Sequence, residues 1–224
     1  MTILAVDTAL SACSVAILSD DRQVTRSQPM QRGHAEALMP MLADALTDAG
    51  IEYGDVDRFA VTVGPGTFTG VRVGVSAVRG LALVTGRPAV GVTTLEALAG
   101  TARALPGARP DRLLVAMDAR RDEIYAQLFG PGDENGEPAV IAVDDLLRDL
   151  PVDVDAVFGS AAGMVAEAAA ETGHDLTVLG TEAAPDPLVV ARIGGQRTPG
   201  DAPRPFYLRP PDAKPQHKAV LARK

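Results

Sequence analysis

A glycine-rich segment joins a predicted strand to a predicted helix. It reads GPGTFTG over residues 64–70. Glycines at such a junction allow positive φ and close backbone approach, and the free N–H groups at a helix start favour anions. A Walker-type phosphate loop ends in Gly-Lys-Ser/Thr, whereas Val71 and Arg72 follow here, and no Gly-x-Gly-x-x-Gly occurs. The segment is therefore compatible with an anion site or with a purely structural turn.

Two aspartates end predicted strands beside short turns. In some kinases, aspartates at the ends of strands help to hold Mg²⁺ and a nucleotide. A phosphate turn favours glycine and hydroxyl groups, but the turn after Asp7 keeps only Thr8 and Ser11, and the turn after Asp118 has neither glycine nor hydroxyl. We therefore predict that both aspartates cap their turns. Asp7, Thr8 and Ser11 are at most a vestigial nucleotide site.

Histidine and cysteine are too sparse for obvious metal or nucleophile chemistry. A metal-binding helix places histidines four residues apart on one face, but Leu38 stands four residues after His34. His174 and His217 lie in unrelated segments, and Cys13 is the only cysteine, which excludes disulfides and cysteine-based metal sites. The Gly-x-Ser-x-Gly elbow of serine hydrolases does not occur. We predict no catalytic residue and no metal site.

The helix predicted for residues 69–85 carries a stripe of mostly small residues. Its members, at i, i+4, i+7 and i+11, are Gly70, Gly74, Ala77 and Leu81. Glycine inside a helix costs about 1 kcal/mol relative to alanine, so close approach of another element must compensate. Valines elsewhere on the helix already offer a face to the protein's own sheet, and we expect the stripe to contact an outside partner. The predicted partner interface consists of Leu38, Leu42, Gly70, Val73, Gly74, Ala77 and Leu81.

The charge of the chain limits the kinds of molecule that it can bind. The formal net charge is −8 at pH 7, whereas a protein that binds a nucleic-acid backbone by itself usually has a basic face. We therefore expect no independent binding of nucleic acid, tRNA included. Residues 210–224 form a basic tail, which is either solvated or an arm for an acidic partner.

The N-terminus lacks a basic segment ahead of its apolar stretch, and no uncharged apolar run reaches membrane-spanning length. We expect a cytoplasmic protein without membrane contact.

The elements that must position these residues begin with a predicted hairpin and edge strand. The predicted strands lie at residues 3–6, 13–18, 23–27, 58–63 and 88–92, and the predicted helices at about 34–50, 69–85 and 95–104. Gly50 is a natural helix stop. Pro40 leaves open a kink or a later start of its helix.

After a turn-rich stretch at residues 106–111, the pattern restarts. A second strand ending in Asp118 is followed by another apolar run, and a strand-to-glycine run at 156–159 precedes a helix at 161–171. Two such α/β halves are typical of the actin-like/Hsp70/sugar-kinase (ASKHA) fold, with ribonuclease-H-like mixed sheets. We predict an N-terminal subdomain (1–105) carrying the partner-binding helices, a C-terminal subdomain (106–209) and the basic tail.

Several motifs resemble those of the TsaB family. They read ILAVDTA with ACSVA near the N-terminus, GPGTFTGVRVG from residue 64, GVTTL from residue 91, MDAR with EIY from residue 117, and PFYLR from residue 205. The second is similar to the most specific signature of the family. The matches run in family order from residue 3 to 209, although residues 130–200 match only in outline.

The resemblance implies a role without catalysis. TsaB proteins are non-catalytic paralogues of TsaD, which transfers threonylcarbamoyl to N6 of adenosine 37 in tRNAs reading codons that begin with A. TsaB pairs with TsaD, and the ATPase TsaE joins them. TsaB self-associates when TsaD is absent, and both this self-association and the pairing with TsaD use the first two helices. The resemblance further implies that the isolated chain binds no cofactor, that ATP and a metal enter only through TsaD and TsaE, and that tRNA is met only in the complex.

Two other functions remain to be weighed. An autonomous ATP-dependent phosphotransferase of the same fold is disfavoured by the eroded phosphate turns. A metallopeptidase is disfavoured by the missing metal pair and nucleophile. Our prediction is therefore an accessory scaffold or activator subunit rather than an enzyme.

Overall fold

The computed structural model describes residues 1–108, 110–132 and 134–209, and the strands in these residues form two five-stranded sheets. The first sheet contains β1 (Ile3–Asp7), β2 (Ala12–Leu18), β3 (Gln23–Pro29), β4 (Arg58–Thr62) and β5 (Ala89–Val92). Its order is β3-β2-β1-β4-β5, in which β1, β2 and β3 pair antiparallel and β4 and β5 are added in parallel. The predicted hairpin and edge strand are confirmed.

The second sheet repeats this arrangement. It contains β6 (Leu113–Asp118), β7 (Glu123–Phe129), β8 (Ala139–Ala142), β9 (Ala156–Phe158) and β10 (Thr177–Gly180). Its order, β10-β9-β6-β7-β8, is that of the first sheet, again with an antiparallel β6–β7–β8 meander and a parallel β6–β9–β10 side. Two related mixed sheets, each opening on a hairpin whose first strand ends in Asp, confirm the predicted actin-like fold. The pattern of residues 130–200 did not predict β8 or β10.

The helices begin and end close to their predicted limits in the first half. They are α1 (His34–Ala49), α2 (Phe68–Thr85), α3 (Thr94–Ala104), α4 (Val143–Arg148), α5 (Ala162–Glu171) and α6 (Pro187–Gln196). Gly50 ends α1 with φ 61°, a left-handed conformation that glycine adopts without steric cost. The helix continues through Pro40, so a start after that proline is excluded.

Two helices pack on the sheet of the opposite half of the chain. The helix α3 follows β5 but contacts β6, β7 and β9 of the second sheet, while α6, near the end of the described chain, contacts β1, β2 and β4 of the first. A β carbon on Gly194 of α6 would lie 2.4 Å from Cβ of Ala60, so the glycine allows the helix to lie directly on β4. The division of the chain near residue 106 stays a prediction, although α6 packs on the sheet of the other predicted subdomain. The predicted basic tail, 210–224, lies outside the described residues.

The helix α2 is long and apolar. Over its 18 residues the mean hydropathy is 1.3, which meets the length and composition of a membrane-spanning helix. However, Val71, Val75 and Val78 are buried in the core of the first half. One side of α2 therefore packs on the first sheet, as predicted for these valines, and the opposite side is exposed.

Candidate functional site

The glycine-rich turn packs against the turn that follows β1. The backbone N–H of Thr67 donates to Ala9 O at 2.7 Å, and Thr8 Oγ1 donates to Gly70 O at 2.7 Å. A β carbon on Gly66 would lie 2.4 Å from Ala9 O, and one on Gly70 would lie 2.0 Å from Thr8 O. No side chain fits at such distances. Contact between the two turns therefore accounts for these glycines, which favours the structural interpretation over the anion site.

Asp7, the residue before Thr8, is fully buried. Its Oδ1 accepts hydrogen bonds from Thr62 Oγ1 and from the backbone N–H of Ala9 at 3.1 Å. Burial raises the pKa of Asp7, because a buried carboxylate loses its hydration, while the two hydrogen bonds act in the opposite direction. Thr8 is buried as well, whereas Ser11 is exposed. The predicted turn cap is confirmed, and the three members of the predicted vestigial site share no accessible surface.

Asp118 caps the corresponding turn in the second half. Its Oδ1 accepts a hydrogen bond from the backbone N–H of Arg120 at 2.7 Å, and its own N–H donates to Ser160 Oγ at 3.0 Å. Arg120, Arg121 and Asp122 have φ of 62°, 59° and 60°. Non-glycine residues rarely adopt this left-handed conformation. The turn thus holds a backbone shape that suits glycine without containing one.

His34 lies buried at the start of α1. Its Nε2 has no hydrogen-bond partner among the described residues, and Leu38, one turn later, is a core residue. Within the part of the chain that the structure describes, no three His, Cys, Asp or Glu side chains are grouped as metal ligands. The absence of a metal site remains a prediction.

The predicted partner interface is wrong for four of its residues. Leu38 and Leu42 are buried in the core on the inner side of α1. Gly70 and Gly74 face the protein's own sheet, and a β carbon on Gly74 would lie 2.6 Å from Thr8 Oγ1. Helical spacing identifies a stripe but does not say which stripe meets the sheet. The small residues allow α2 to approach β1, not an outside helix.

The helices α1 and α2 contact each other, and their outward sides leave large apolar side chains exposed. Exposed fractions are 84% for Leu83, 86% for Val84, 51% for Phe68 and 47% for Met39. The three remaining predicted interface residues are half-buried beside them. We call this the two-helix surface, defined by Met39, Phe68, Val73, Ala77, Leu81, Leu83 and Val84.

Opposite charges flank the two-helix surface. The helix α1 exposes Glu36 and Asp44 and contains no lysine or arginine. The helix α2 exposes Arg72 and Arg79 and contains no aspartate or glutamate. The surface is therefore acidic on α1 and basic on α2. This separation of charge is evident only when the two helices are considered together.

Arg72 belongs to an exposed cluster that the sequence pattern did not predict. Its guanidinium carbon lies 3.5 Å from the centroid of the Phe68 ring, and its Nε donates to the Tyr207 hydroxyl at 2.9 Å. The Phe68 and Tyr207 rings stack with centroids 5.6 Å apart. An arginine over an aromatic face gains cation–π attraction. The only sequence signal was that these residues lie in two of the motifs that resemble a family.

The C-terminal segment at residues 203–209 connects the two halves. The backbone N–H of Phe206 donates to Val63 O at 2.7 Å, beside the glycine-rich turn. Three residues later, Arg209 Nη1 donates to Ala119 O at 2.8 Å, and the same guanidinium forms an ion pair with Glu123 in the second half. The segment therefore spans from the end of β4 to the turn between β6 and β7.

Two cavities lie away from the predicted site residues. One, of about 600 Å³, lies between β3 and α1, and the other, of about 270 Å³, lies between α4 and the strands β7 and β8. Neither is lined by Asp7, Thr8 or Asp118. Neither of these two cavities therefore opens at the predicted vestigial site.

Comparison with known proteins indicates the family to which this chain belongs. A family model described as TsaD: tRNA N6-adenosine threonylcarbamoyltransferase matches residues 25–191, more than half of the chain. The Escherichia coli protein named tRNA threonylcarbamoyladenosine biosynthesis protein TsaB is 42% identical over 136 residues, and its Haemophilus influenzae namesake is 38% identical over 125 residues. The chain belongs to the TsaB family. The first match covers 61% of this chain and 58% of the relative, the second 56% and 52%, so the aligned part spans little more than half of each relative.

Solved structures agree with a TsaB-type fold over nearly the whole chain. A Pseudomonas aeruginosa structure described as YeaZ is 32% identical with a TM-score of 0.76, covering 92% of this chain and 99% of that one. A second structure, described as an uncharacterized protein from the same organism with similarity to peptidase YEAZ, is 31% identical with a TM-score of 0.81, covering 93% and 99%. These likenesses extend through residues 130–200, where the TsaB motifs matched only in outline.

Proposed function

We propose that this chain is a non-catalytic subunit that pairs with TsaD, and through it with TsaE, for threonylcarbamoyl transfer to N6 of adenosine 37 in tRNAs reading codons that begin with A. The family model and the named relatives support a role in making threonylcarbamoyladenosine. The observation that carries the non-catalytic part is the closed turn after β1. Asp7 and Thr8, which would face Mg²⁺ or phosphate in a kinase, are buried and bonded within the protein.

The closed turn argues against an autonomous phosphotransferase. To expose Thr8, the glycine-rich turn must move away from Ala9 and Thr8, which breaks the hydrogen bonds from Thr67 and to Gly70. The start of α2 would have to move as well, since Gly70 lies in its first turn. A bound nucleotide would thus need to displace part of the core, and that cost opposes binding by the isolated chain.

The two-helix surface is the proposed site of pairing. Monomeric proteins rarely expose contiguous apolar patches of this kind without a partner, and Leu83 and Val84 are almost fully exposed. Burying a few hundred Å² of apolar area on each side contributes several kcal/mol at about 25 cal/mol per Å². Loss of translational and rotational freedom offsets much of this gain, so we expect a modest and exchangeable complex.

The same surface serves self-association when TsaD is absent. A shared surface makes the two states mutually exclusive, so TsaD competes with the homodimer by mass action. The isolated chain binds no cofactor, and ATP and a metal enter through TsaD and TsaE. Its net charge of −8 opposes tRNA binding outside the complex. We propose a cytoplasmic location without membrane contact, with the apolar side of α2 covered by protein.

The test is reconstitution with purified components. Threonylcarbamoyladenosine formation is measured with TsaD and TsaE in the presence and absence of this chain, and the chain alone is assayed for ATP hydrolysis and tRNA binding. We expect modification to depend on the chain and its own turnover to be absent. ATP hydrolysis by the isolated chain that Asp7→Asn abolishes would contradict the proposal, whereas hydrolysis that survives Asp7→Asn would indicate a contaminating enzyme. Unchanged modification without the chain would also contradict it.

A further inference from the structure

The second half of the chain carries an apolar groove between α4 and the strands β7 and β8. We call this cavity, of about 270 Å³, the α4 groove. It is lined by Leu128 of β7, by Ile141 of β8 and, from α4 and the residues after it, by Leu146 and Leu150. Leu128, Ile141 and Leu146 are only half-buried. An open apolar surface with polar residues around it marks an interaction site.

The rim of the α4 groove is acidic. Glu137, Asp145 and Asp149 lie on it and are exposed, and the described residues that line the groove include no lysine or arginine. Asp145 pairs with Arg148 of the same helix, whereas Glu137 and Asp149 form no ion pair with another described residue. The groove therefore favours an apolar group that has positive charge beside it.

The last residues of the chain have the matching chemistry. Residues 210–224 lie outside the described residues, and their longest apolar run is AVLA at 219–222. Lys218 precedes this run, Arg223 and Lys224 follow it, and Asp212 is the only acid of the segment. An apolar run between basic residues is complementary to an apolar groove between acidic residues.

The chain after Arg209 is long enough to reach the α4 groove. Arg209 is held at the start of β7 by its ion pair with Glu123 and its hydrogen bond to Ala119 O. Leu128 lies five residues beyond Glu123 in β7, which is about 17 Å at the rise of a strand. Val220 lies eleven residues after Arg209, and an extended chain of that length spans up to about 36 Å. This length allows for a path around the sheet edge at β8.

We propose that residues 218–224 of this chain bind in the α4 groove, with Val220 and Leu221 against its apolar wall and the flanking basic side chains toward Glu137 and Asp149. Attachment to the same chain raises the local concentration of the segment to about the millimolar range, so even a weak contact is occupied. The inference goes beyond the proposed function, because the α4 groove lies in the second half and the two-helix surface in the first.

The other cavity does not offer the same chemistry. It lies between β3 and α1, and its wall contains the polar side chains of Thr25, Ser27 and Gln28. Arg26 and Asp44, which also line it, give it charges of both signs. A basic side chain in the wall opposes a basic segment, so residues 218–224 match the α4 groove better.

The test is paramagnetic relaxation, measured by NMR on the isotopically labelled full chain. A nitroxide is attached at Val152→Cys, next to Pro151 of the groove, or at Asp20→Cys in the first half. Both positions are exposed, and the native thiol of Cys13 is buried. We expect the nitroxide at Val152→Cys to lower the amide signals of residues 219–222 at least about twofold, because the tethered segment is bound for much of the time. The nitroxide at Asp20→Cys should leave them unchanged.

Matched charge reversals separate the groove from the overall charge. Glu137→Lys together with Asp149→Lys reverses the rim, whereas Glu167→Lys together with Glu171→Lys makes the same change in net charge on α5, away from the lining of the groove. Only the rim reversal should restore the lowered signals. Leu221→Asp should restore them as well, because a carboxylate opposes contact with an apolar wall. Circular dichroism confirms that each variant is folded.

Three outcomes overturn the inference. They are equal effects of the two nitroxides, a signal loss that neither the rim reversal nor Leu221→Asp changes, and a signal loss that both charge reversals remove equally. In a mixture, a nitroxide carried by separate copies without the isotope should have no effect. Signal loss there would place the segment on another copy and also overturn the inference. Each of these leaves TsaD capture and tRNA modification, measured separately, to decide the proposed function.

Discussion

Gly74 in the middle of α2 lies directly against Thr8 at the end of β1. A β carbon at Gly74 would be 2.6 Å from Thr8 Oγ1 and 3.3 Å from Val61 Cγ2. Because Thr8 Oγ1 also donates to Gly70 O, the threonine hydroxyl is enclosed by the helix. The contact joins the two motifs of the first half and keeps the turn after β1 closed.

Gly74→Ala should destabilise the protein by about 1–3 kcal/mol, because the added methyl group overpacks this contact. Gly80→Ala, in the same helix, is the matched control. No atom lies within 4 Å of a β carbon at Gly80, so there alanine should stabilise by about 0.5–1 kcal/mol through its helix propensity. Urea denaturation measures both. Equal effects of the two substitutions would show that Gly74 does not meet the sheet.

Asp7 makes the stability of the protein depend on pH. Burial raises its pKa above the ordinary value of 3.8, so the folded state binds more protons than the unfolded state between the two pKa values. The contribution of Asp7 is therefore complete below its unfolded pKa and is lost as the pH rises through its folded pKa. Asp7→Asn should remove this component. The free energy of unfolding of the wild type minus that of the variant should fall as the pH rises above the unfolded pKa of about 4, and a constant difference would contradict the assignment.

Cys13 should resist thiol reagents in the folded protein. Burial, and secondarily the charge of Asp7, raises the pKa of its thiol to about 11, and the side chain is buried in β2. The thiolate is the reactive form, so labelling at neutral pH should be slow until the first half unfolds. The labelling rate, followed against urea concentration, should track the loss of circular dichroism. Fast labelling of native protein would show that β2 opens locally.

The ion pair between Arg209 and Glu123 should stabilise the closure between the halves. Arg209→Ala also removes the hydrogen bond to Ala119 O, and we expect a loss of about 1–2 kcal/mol, reduced from a fully buried pair because Glu123 is partly exposed. Arg148→Ala is the control, since its pair with Asp145 is largely exposed and should matter by less than about 0.5 kcal/mol. Thermal melts compare the two. If the Arg209→Ala protein is as stable as the Arg148→Ala control, the ion pair does not stabilise the closure between the halves.

Leu83→Asp should abolish capture of TsaD while leaving the chain folded. The side chain is 84% exposed, so the change in stability should stay under about 1 kcal/mol, whereas a buried, unpaired carboxylate opposes an apolar interface. Val152→Asp is the matched control, because Val152 is 91% exposed in the second half. A pull-down with TsaD and a melting curve of each variant test this. Normal capture by folded Leu83→Asp protein would place the pairing surface elsewhere.

The amino-acid sequence alone determined the local elements of the first half and the repeat between the halves. Strands and helices follow from the spacing of apolar residues, and stops such as Gly50 follow from local backbone geometry. The capping role of Asp7 and Asp118 was equally local, since each carboxylate accepts a hydrogen bond from the residue two positions later. The family motifs were also readable, because they are short and contiguous.

Only the tertiary structure decided that the glycines of α2 belong, with its valines, to the side that meets the core. Gly70 and Gly74 have the spacing of an interface stripe, yet they face β1, because the helix approaches closest where side chains are absent. Neither of two other contacts produces a local periodicity in the sequence. One is the contact of α6 with the first sheet, and the other is the cluster of Arg72 with Tyr207, which are 135 residues apart. Such contacts depend on how the sheets and helices are placed in space, and the pattern along the chain describes only what each element can bury.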